Sequence, residues 1–437
     1  MARWMLIVLS AGLALAGGAA FADSEEAIQV GMARIDITPP IDMKATLGGY
    51  GERMSRPASG VHDRLFAKAL VVNSADKKFA LVTLDALGLP PAVKPAVLEK
   101  LAGDGWKEEE ILLLPSHSHT SIEMNAINPK NVFPIPNLGI YQPALFDLVV
   151  GKLVEVIRAA GSQRVDARIG TGSVLLDGEW KRNRRDGNSF IDPTLTVTRI
   201  DTLDGKPLAV LVHWATHPTF MTASDMMFSG GWPGHLQRNL EALVGNNSMV
   251  LFSNGAEGDQ SPRARPDSGP SNWEKAERYG RELALQAYKV WNSIKTEPTC
   301  RMAFTLEKAD LPPRCWHPDF MATGGAEYGL RENIMNAVLE EMAPASTRVA
   351  ALRLGDLVMI GIPGELAAER GKNLCDQVAQ KTGASHVVIG GLANEWVSYI
   401  LAPEEYQRGG YEASVSFYGP KLEPTLQAAA LKAAEGL

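Results

Sequence analysis

The feature that most constrains this chain is a recurring unit: a short apolar run stops abruptly in a polar cluster, and a helical pattern follows. Apolar, largely β-branched or leucine-rich runs occupy 28–35, 67–72, 79–84, 111–114, 195–200, 208–212, 249–252, 357–360 and 386–389, lengths and compositions that read as strands. Helical periodicity covers 92–102, 144–160, 234–243, 272–294 and 365–380. Strands and helices that alternate must bury their apolar faces on one another, which predicts an α/β fold of layered mixed β-sheets flanked by helices. Two stretches rich in Pro, Gly and polar residues, 261–271 and 312–332, are expected to be irregular loops able to fold over a site.

The amino terminus has a different character. A basic Arg3, an apolar run over 5–20 and the small-residue ending Ala20-Phe21-Ala22 precede an acidic Asp23-Ser24-Glu25-Glu26. This predicts a signal peptide over 1–22, cut after Ala22, and an exported protein, periplasmic or secreted. No later stretch is long and apolar enough for a membrane helix, so no transmembrane segment is expected after cleavage. A net charge of −7 without basic blocks excludes a nucleic-acid partner, because phosphate neutralisation needs clustered Lys and Arg. Of the three cysteines, Cys300 and Cys315 are the expected pair, and Cys375 reads as an apolar residue on a helix. With no Cys-x-x-Cys, a thiolate metal site is not expected.

The chemistry-bearing residues gather where the runs end. The run 111–114 leads into Ser116-His117-Ser118-His119-Thr120, and the carboxyl end of a core strand is where open α/β sheets place ligands. Two histidines spaced by two on extended backbone point the same way, so both can address one metal; they can equally be hydrogen-bonding residues of the strand end. The run 208–212 leads into His213-Trp214-Ala215-Thr216-His217-Pro218, where His213 suits either a core or a ligand role and His217 is the better ligand. A third run, 249–252, enters Ser253-Asn254-Gly255-Ala256-Glu257-Gly258-Asp259-Gln260-Ser261-Pro262. Its glycines allow close backbone approach, and Asp259 and Ser261 offer a carboxylate and a hydroxyl. After 357–360, Glu365 is expected at a helix amino terminus, where a carboxylate suits the helix dipole or serves as an anionic ligand. Tyrosines 399, 406 and 411 follow the last run.

Taken in this order, the segments resemble the catalytic amino-terminal domain of the neutral/alkaline, non-lysosomal ceramidase family. The matching pieces are 31–40 (GMARIDITPP), Gly48-Gly49-Tyr50-Gly51, the His-x-His after a strand, Asn183-Arg184, Ala215-Thr216-His217 with 229–234 downstream, 254–262, Pro363-Gly364-Glu365, and Ser398-Tyr399 followed by Glu404-Glu405-Tyr406. The resemblance implies Zn2+ as cofactor, with His117, His217, Glu365 and Tyr399 as ligands. It implies a site serine, Ser261, acting as nucleophile or as positioning hydroxyl, with Asp259 supporting its loop. It places Gly49, Arg184, His119 and Tyr411 around the substrate, and gives His119 and Tyr411 a part in catalysis. It further implies one domain over 23–437, since the ligands span the chain, and hydrolysis of a small-molecule or lipid amide such as ceramide.

Two departures bear on substrate. Where the family carries a Gly-rich continuation after His-x-His, this chain has Ser121-Ile122-Glu123-Met124-Asn125, and it stops soon after Tyr411, where the family continues into a sandwich-like domain. These keep open a different small amide or ester as substrate. The other readings are a metal-independent serine hydrolase built on Ser261, a histidine and Asp259, which lacks a Gly-x-Ser-x-Gly elbow, and a non-catalytic exported binding protein.

Overall fold

A computed structural model describes residues 25–437; the expected signal peptide, 1–22, lies outside the described residues. The larger sheet runs in the order Met249–Ser253, Pro207–His213, Thr194–Thr202, Val165–Leu175, Glu26–Asp36, Phe66–Ser74, Lys77–Leu84, Ile111–Pro115, with Thr299–Cys300 alongside Glu26–Asp36. Its outermost pairs are parallel and its centre is antiparallel, a mixed sheet. A second sheet is ordered Met302–Asp310, Ser346–Leu354, Leu357–Gly361, His386–Gly390, and its last pair is parallel.

Alternation along each strand explains how the layers stack. In the larger sheet Leu70, Leu81, Leu112 and Leu251 face one way and pack on Leu352, Leu357, Met359 and Val388 of the smaller sheet. The opposite face, with Ala69, Val82 and Leu113, is covered by helices Val93–Leu101 and Pro143–Ser162. Farther along that face, Val197, Val210 and Phe252 pack under helices Gly231–Val244 and Asn272–Ser293. The outer face of the smaller sheet, with Val349, Val358 and Ile360, lies under Ala368–Thr382 and Leu422–Ala433. The result is helix, sheet, sheet, helix, the layered α/β architecture expected. Helix starts follow local chemistry: Pro143 opens its helix, and Ser271 and Glu274 form a capping box at Asn272.

Some expectations are corrected. The helix expected over 365–380 begins at Ala368, and Glu365 instead lies in a two-residue strand, Glu365–Leu366, paired in parallel with Tyr399–Ile400. The helix dipole therefore does not account for Glu365. Cys300 and Cys315 do not form a disulfide; both are free thiols. The nine-residue strand Met302–Asp310 between them spans about 30 Å at the usual rise per residue, and carries Cys315 to the opposite end of the sheet, where its N–H bonds the Phe417 carbonyl. Strands Val165–Leu175, Met302–Asp310 and Ser346–Leu354 are additional to those expected. Among the described residues, no helix is long and apolar enough to cross a membrane.

Candidate metal and substrate site

Strands Ile111–Pro115, Pro207–His213 and Met249–Ser253 of one sheet, and Leu357–Gly361 and His386–Gly390 of the other, send the loops after their carboxyl ends to one place. The first strand ends at Pro115, and His117 adopts φ 69°, in the left-handed region that non-glycine residues rarely enter. Its N–H bonds the Ala86 carbonyl, and its ring Nδ1 donates to the Leu87 carbonyl at 2.6 Å. Simple strand alternation thus does not orient the His-x-His pair. The two rings stand 4.9 Å apart and perpendicular, with Nε2 atoms 3.3 Å apart.

His217 is held in the same manner, its Nδ1 donating to the Glu257 carbonyl at 2.7 Å. A carbonyl only accepts, so both rings carry their proton on Nδ1 and turn Nε2 inward. There they meet Glu365 Oε2, at 3.4 Å from His117 and 3.0 Å from His217. The parallel strand pair sets Tyr399 directly beside Glu365 and brings its hydroxyl to 3.4 Å from His217 Nε2. Trp396 Nε1 donates to the other Glu365 oxygen at 2.8 Å and fixes its rotamer.

Burial, reinforced by Arg184, holds His217 down at about 3, so this ring is neutral. Burial alone would raise Glu365, but the His117 and His217 side lowers the carboxyl well below its usual range, and with both rings neutral that pull calls for a positive charge held among these donors. Inward-facing ring nitrogens, an ionised carboxylate and a phenol oxygen repel one another unless a cation or a proton lies among them. Two nitrogens and two oxygens at this spacing fit a zinc ion by donor type.

His119 is half-buried against this cluster, and burial together with His117 and His217 pushes it well down. Gly49, at φ 96°, backs it: a Cβ there would sit 2.4 Å from His119 Nδ1. Arg184 Nη2 donates to the Tyr399 hydroxyl and to the Gly258 carbonyl, both at 2.9 Å, whereas the neighbouring Arg182 is exposed. The Tyr411 ring lies 6.0 Å from that of Tyr399. Asp259 is buried and fully engaged: Oδ1 accepts from the Ala368 N–H and Gln260, and Oδ2 from Asn183. Ser261 sits on the short strand Gln260–Pro262, tied in by the Gln260 carbonyl, which accepts from the His217 N–H. Among the described residues, no hydrogen bond links Ser261 to the histidines. His213 is apart from the cluster, bonded to Ser253 Oγ and lowered to about 4 by burial.

Several residues here escaped the sequence reading. Arg53, almost wholly buried, donates to the carbonyls of Gly48, His119, Thr222 and Asp225 and so locks the Gly49 turn to the His119 segment. Glu412 bridges Arg184 and Arg185. Glu257 is buried beside His117 and Glu365, and both burial and Glu365 push its carboxyl well above its usual range.

The cluster forms one end of a cavity of about 1130 Å³, counted with its solvent-open mouth. Its walls are mostly apolar, with Leu87, Leu138, Phe320, Met335, Leu339 and Phe417 prominent; the segment 312–332, expected as an irregular loop, carries the short helices Pro318–Ala322 and Gly324–Glu327 and supplies part of these walls. A polar corner holds Glu123, Asn125 and Asn128, and burial pushes Glu123 up to about 7.

The model of the family described as neutral/alkaline non-lysosomal ceramidase, N-terminal, matches residues 28–275 and 333–428. The chain belongs to this ceramidase family. Among its relatives, the neutral ceramidase of Pseudomonas aeruginosa is 22% identical over 91% of this chain and 70% of its own. That of Mycobacterium tuberculosis is 24% identical over 85% of this chain and 71% of its own. The crystal structure of the Pseudomonas aeruginosa neutral ceramidase superposes with a TM-score of 0.80 at 21% identity, covering 94% of this chain and 74% of that one. The ceramidase fold is therefore common to both. The family match omits 276–332, which includes the cavity-lining residues Phe320, Tyr328 and Leu330.

Proposed function

We propose that this ceramidase-family chain is an exported, zinc-dependent amidohydrolase that cleaves the N-acyl amide bond of ceramide or a ceramide-like lipid. The observation that carries the reading is the convergence of His117 Nε2, His217 Nε2, Glu365 Oε2 and the Tyr399 hydroxyl at the end of an apolar cavity. In this reading those four residues hold the ion, and the whole of 23–437 forms one catalytic domain. The names of its relatives supply the substrate class. The composition of 1–22 supports export.

Bound there, zinc would act as a Lewis acid, polarising a carbonyl oxygen and acidifying water. The protein does the rest. The apolar walls take the acyl chain and exclude water, which strengthens every polar contact at the cavity end. His119 and Tyr411 reach that end and donate to the oxyanion as charge develops on the amide oxygen. Arg184 holds the Tyr399 hydroxyl in place, and Gly49 leaves His119 its room. Ser261 takes the positioning role, on a strand that Asp259 anchors to helix Ala368–Thr382. A metal-free triad is disfavoured because Asp259 is engaged by Ala368, Gln260 and Asn183 and makes no bond to a histidine among the described residues.

The polar corner at Glu123 supports a second reading on the same machinery, a smaller or more polar N-acyl amide or an ester. Metal analysis combined with a panel of ceramides of graded acyl length, simple N-acyl amides and esters tests both. Turnover fastest on ceramides is expected, with Ser261→Ala lowering kcat while metal content stays unchanged. Turnover confined to short esters would overturn the ceramide assignment.

A further inference from the structure

The mechanism above leaves one buried carboxylate without a task. Glu257 is wholly buried, and among the described residues neither of its carboxylate oxygens has a hydrogen-bond partner on another residue. Buried carboxylates ordinarily collect several donors, because desolvating an unpaired charge is costly. Arg184, whose charge acts on it, is already committed, donating to Glu412, Gly258 and Tyr399. What Glu257 does face is the histidine and carboxylate cluster: its oxygen, a His117 ring nitrogen and a Glu365 oxygen all lie within 4.8 Å of one another.

The local backbone is built to hold it there. Glycines 255 and 258 flank the residue's loop, and the Gly258 N–H bonds the Leu366 carbonyl, which ties the loop to the strand bearing Glu365. Gly391 comes from the far end of the chain; a Cβ on it would lie 2.6 Å from Glu257 Oε2, so only glycine leaves the carboxylate its space. The Glu257 carbonyl meanwhile fixes the tautomer of His217. One residue thus orients a histidine with its main chain and presents a free carboxylate with its side chain.

We propose that Glu257 is a second carboxylate ligand of the metal centre, beside His117, His217, Glu365 and Tyr399. The inference rests on the metal-dependent reading above. Donor atoms sharing a first-row divalent ion at bond lengths of about 2.0–2.2 Å stand no more than roughly 4.4 Å apart, and the Glu257, His117 and Glu365 donor atoms lie within 4.8 Å of one another before any ion draws them together. A set of two nitrogens and three oxygens is richer in hard donors than a four-ligand site, and it favours an ion with more than four ligands over a tetrahedral one.

The test compares the full chain with Glu257→Gln, which keeps the shape and removes the charge. Zn2+ affinity is measured by competition with a chromophoric chelator, and the visible spectrum is recorded after Co2+ substitution. The variant is expected to bind Zn2+ about 10-fold or more weakly, taking the loss caused by removing a ligand's own support as the floor. Its Co2+ bands should intensify as coordination falls toward tetrahedral. Thermal melts of the metal-free proteins add a control: the variant should melt at the same temperature as wild type or higher, because neither carboxylate oxygen has a hydrogen-bond partner to lose. Equal Zn2+ affinity and identical Co2+ spectra, with wild type binding metal, would overturn the ligand assignment alone. Wild type that binds no metal overturns it together with the reading on which it rests. A metal-free variant that fails to fold would also contradict it, since Glu257 would then be serving the fold.

Discussion

Replacing Glu412 with glutamine probes the ion cluster that carries both tyrosines of the site. Glu412 is buried, and its two oxygens accept from Arg184 Nε at 2.8 Å and Arg185 Nη1 at 3.0 Å. Arg185 also donates to the carbonyls of Glu405 and Gly409, and Arg184 to the Gly258 carbonyl and the Tyr399 hydroxyl, so the cluster ties the end of strand Lys181–Asn183 to Tyr399 and to the short helix Tyr411–Ser414. Hydrogen bonds to charged groups contribute about 1.5–3 kcal/mol each, and breaking a buried pair costs about 3–5 kcal/mol. Glutamine keeps one accepting oxygen, and both guanidiniums keep their carbonyl partners, which places the expected loss at about 2–4 kcal/mol. Urea unfolding with an unchanged m value measures it. A double-mutant cycle with Arg185→Met should return a coupling of about 1–3 kcal/mol, since the pair is in direct contact. Turnover should fall as well, because Arg184 loses the carboxylate that aims it at Tyr399. A stability loss under about 1 kcal/mol would refute the reasoning, because the cluster would then be no stronger than a surface ion pair.

Two further outcomes follow from burial and backbone geometry. Lys181 is buried, with Nζ donating to the Ala215 carbonyl and lying 3.5 Å from the centre of the Trp214 ring, and burial lowers it to about 7. Between that value and its unfolded value the unfolded chain binds the extra proton, so stability rises with pH above 7 by up to about 1.4 kcal/mol per unit; Lys181→Met should remove this slope in denaturation curves taken from pH 7 to 9. Gly49→Ala adds a methyl where φ is 96° and His119 Nδ1 lies 2.4 Å away, so it should cost about 1–3 kcal/mol in strain and displace His119. Its kcat should drop sharply while bound metal per chain, read by elemental analysis, holds at the wild-type level.

Much of this architecture was legible because a run such as 111–114 has one stable place, between layers, and a polar cluster that follows it must emerge at the strand's end. What could not be read was what one segment imposes on another. His117 leaves extended geometry because Ala86 and Leu87 offer carbonyls to its N–H and ring. Glu365 moves off the helix because Tyr399–Ile400 offers it a strand partner. Glu257 lies in a Gly-rich turn, and its burial depends on Gly391 and the Glu365 strand closing over it. Cys300 and Cys315 stay unpaired for a like reason: the strand Met302–Asp310 between them holds them apart.

In the proposed mechanism the cluster of His117, His217, Glu365 and Tyr399 holds a metal ion on which amide hydrolysis depends. The most direct measurement is ceramide turnover recorded beside metal content, through exhaustive chelation and Zn2+ readdition. One ion per chain, activity lost in proportion to its removal and restored with it, and neither binding nor activity in His217→Ala are the expected results. Full turnover by a chain shown to carry no metal would contradict the account.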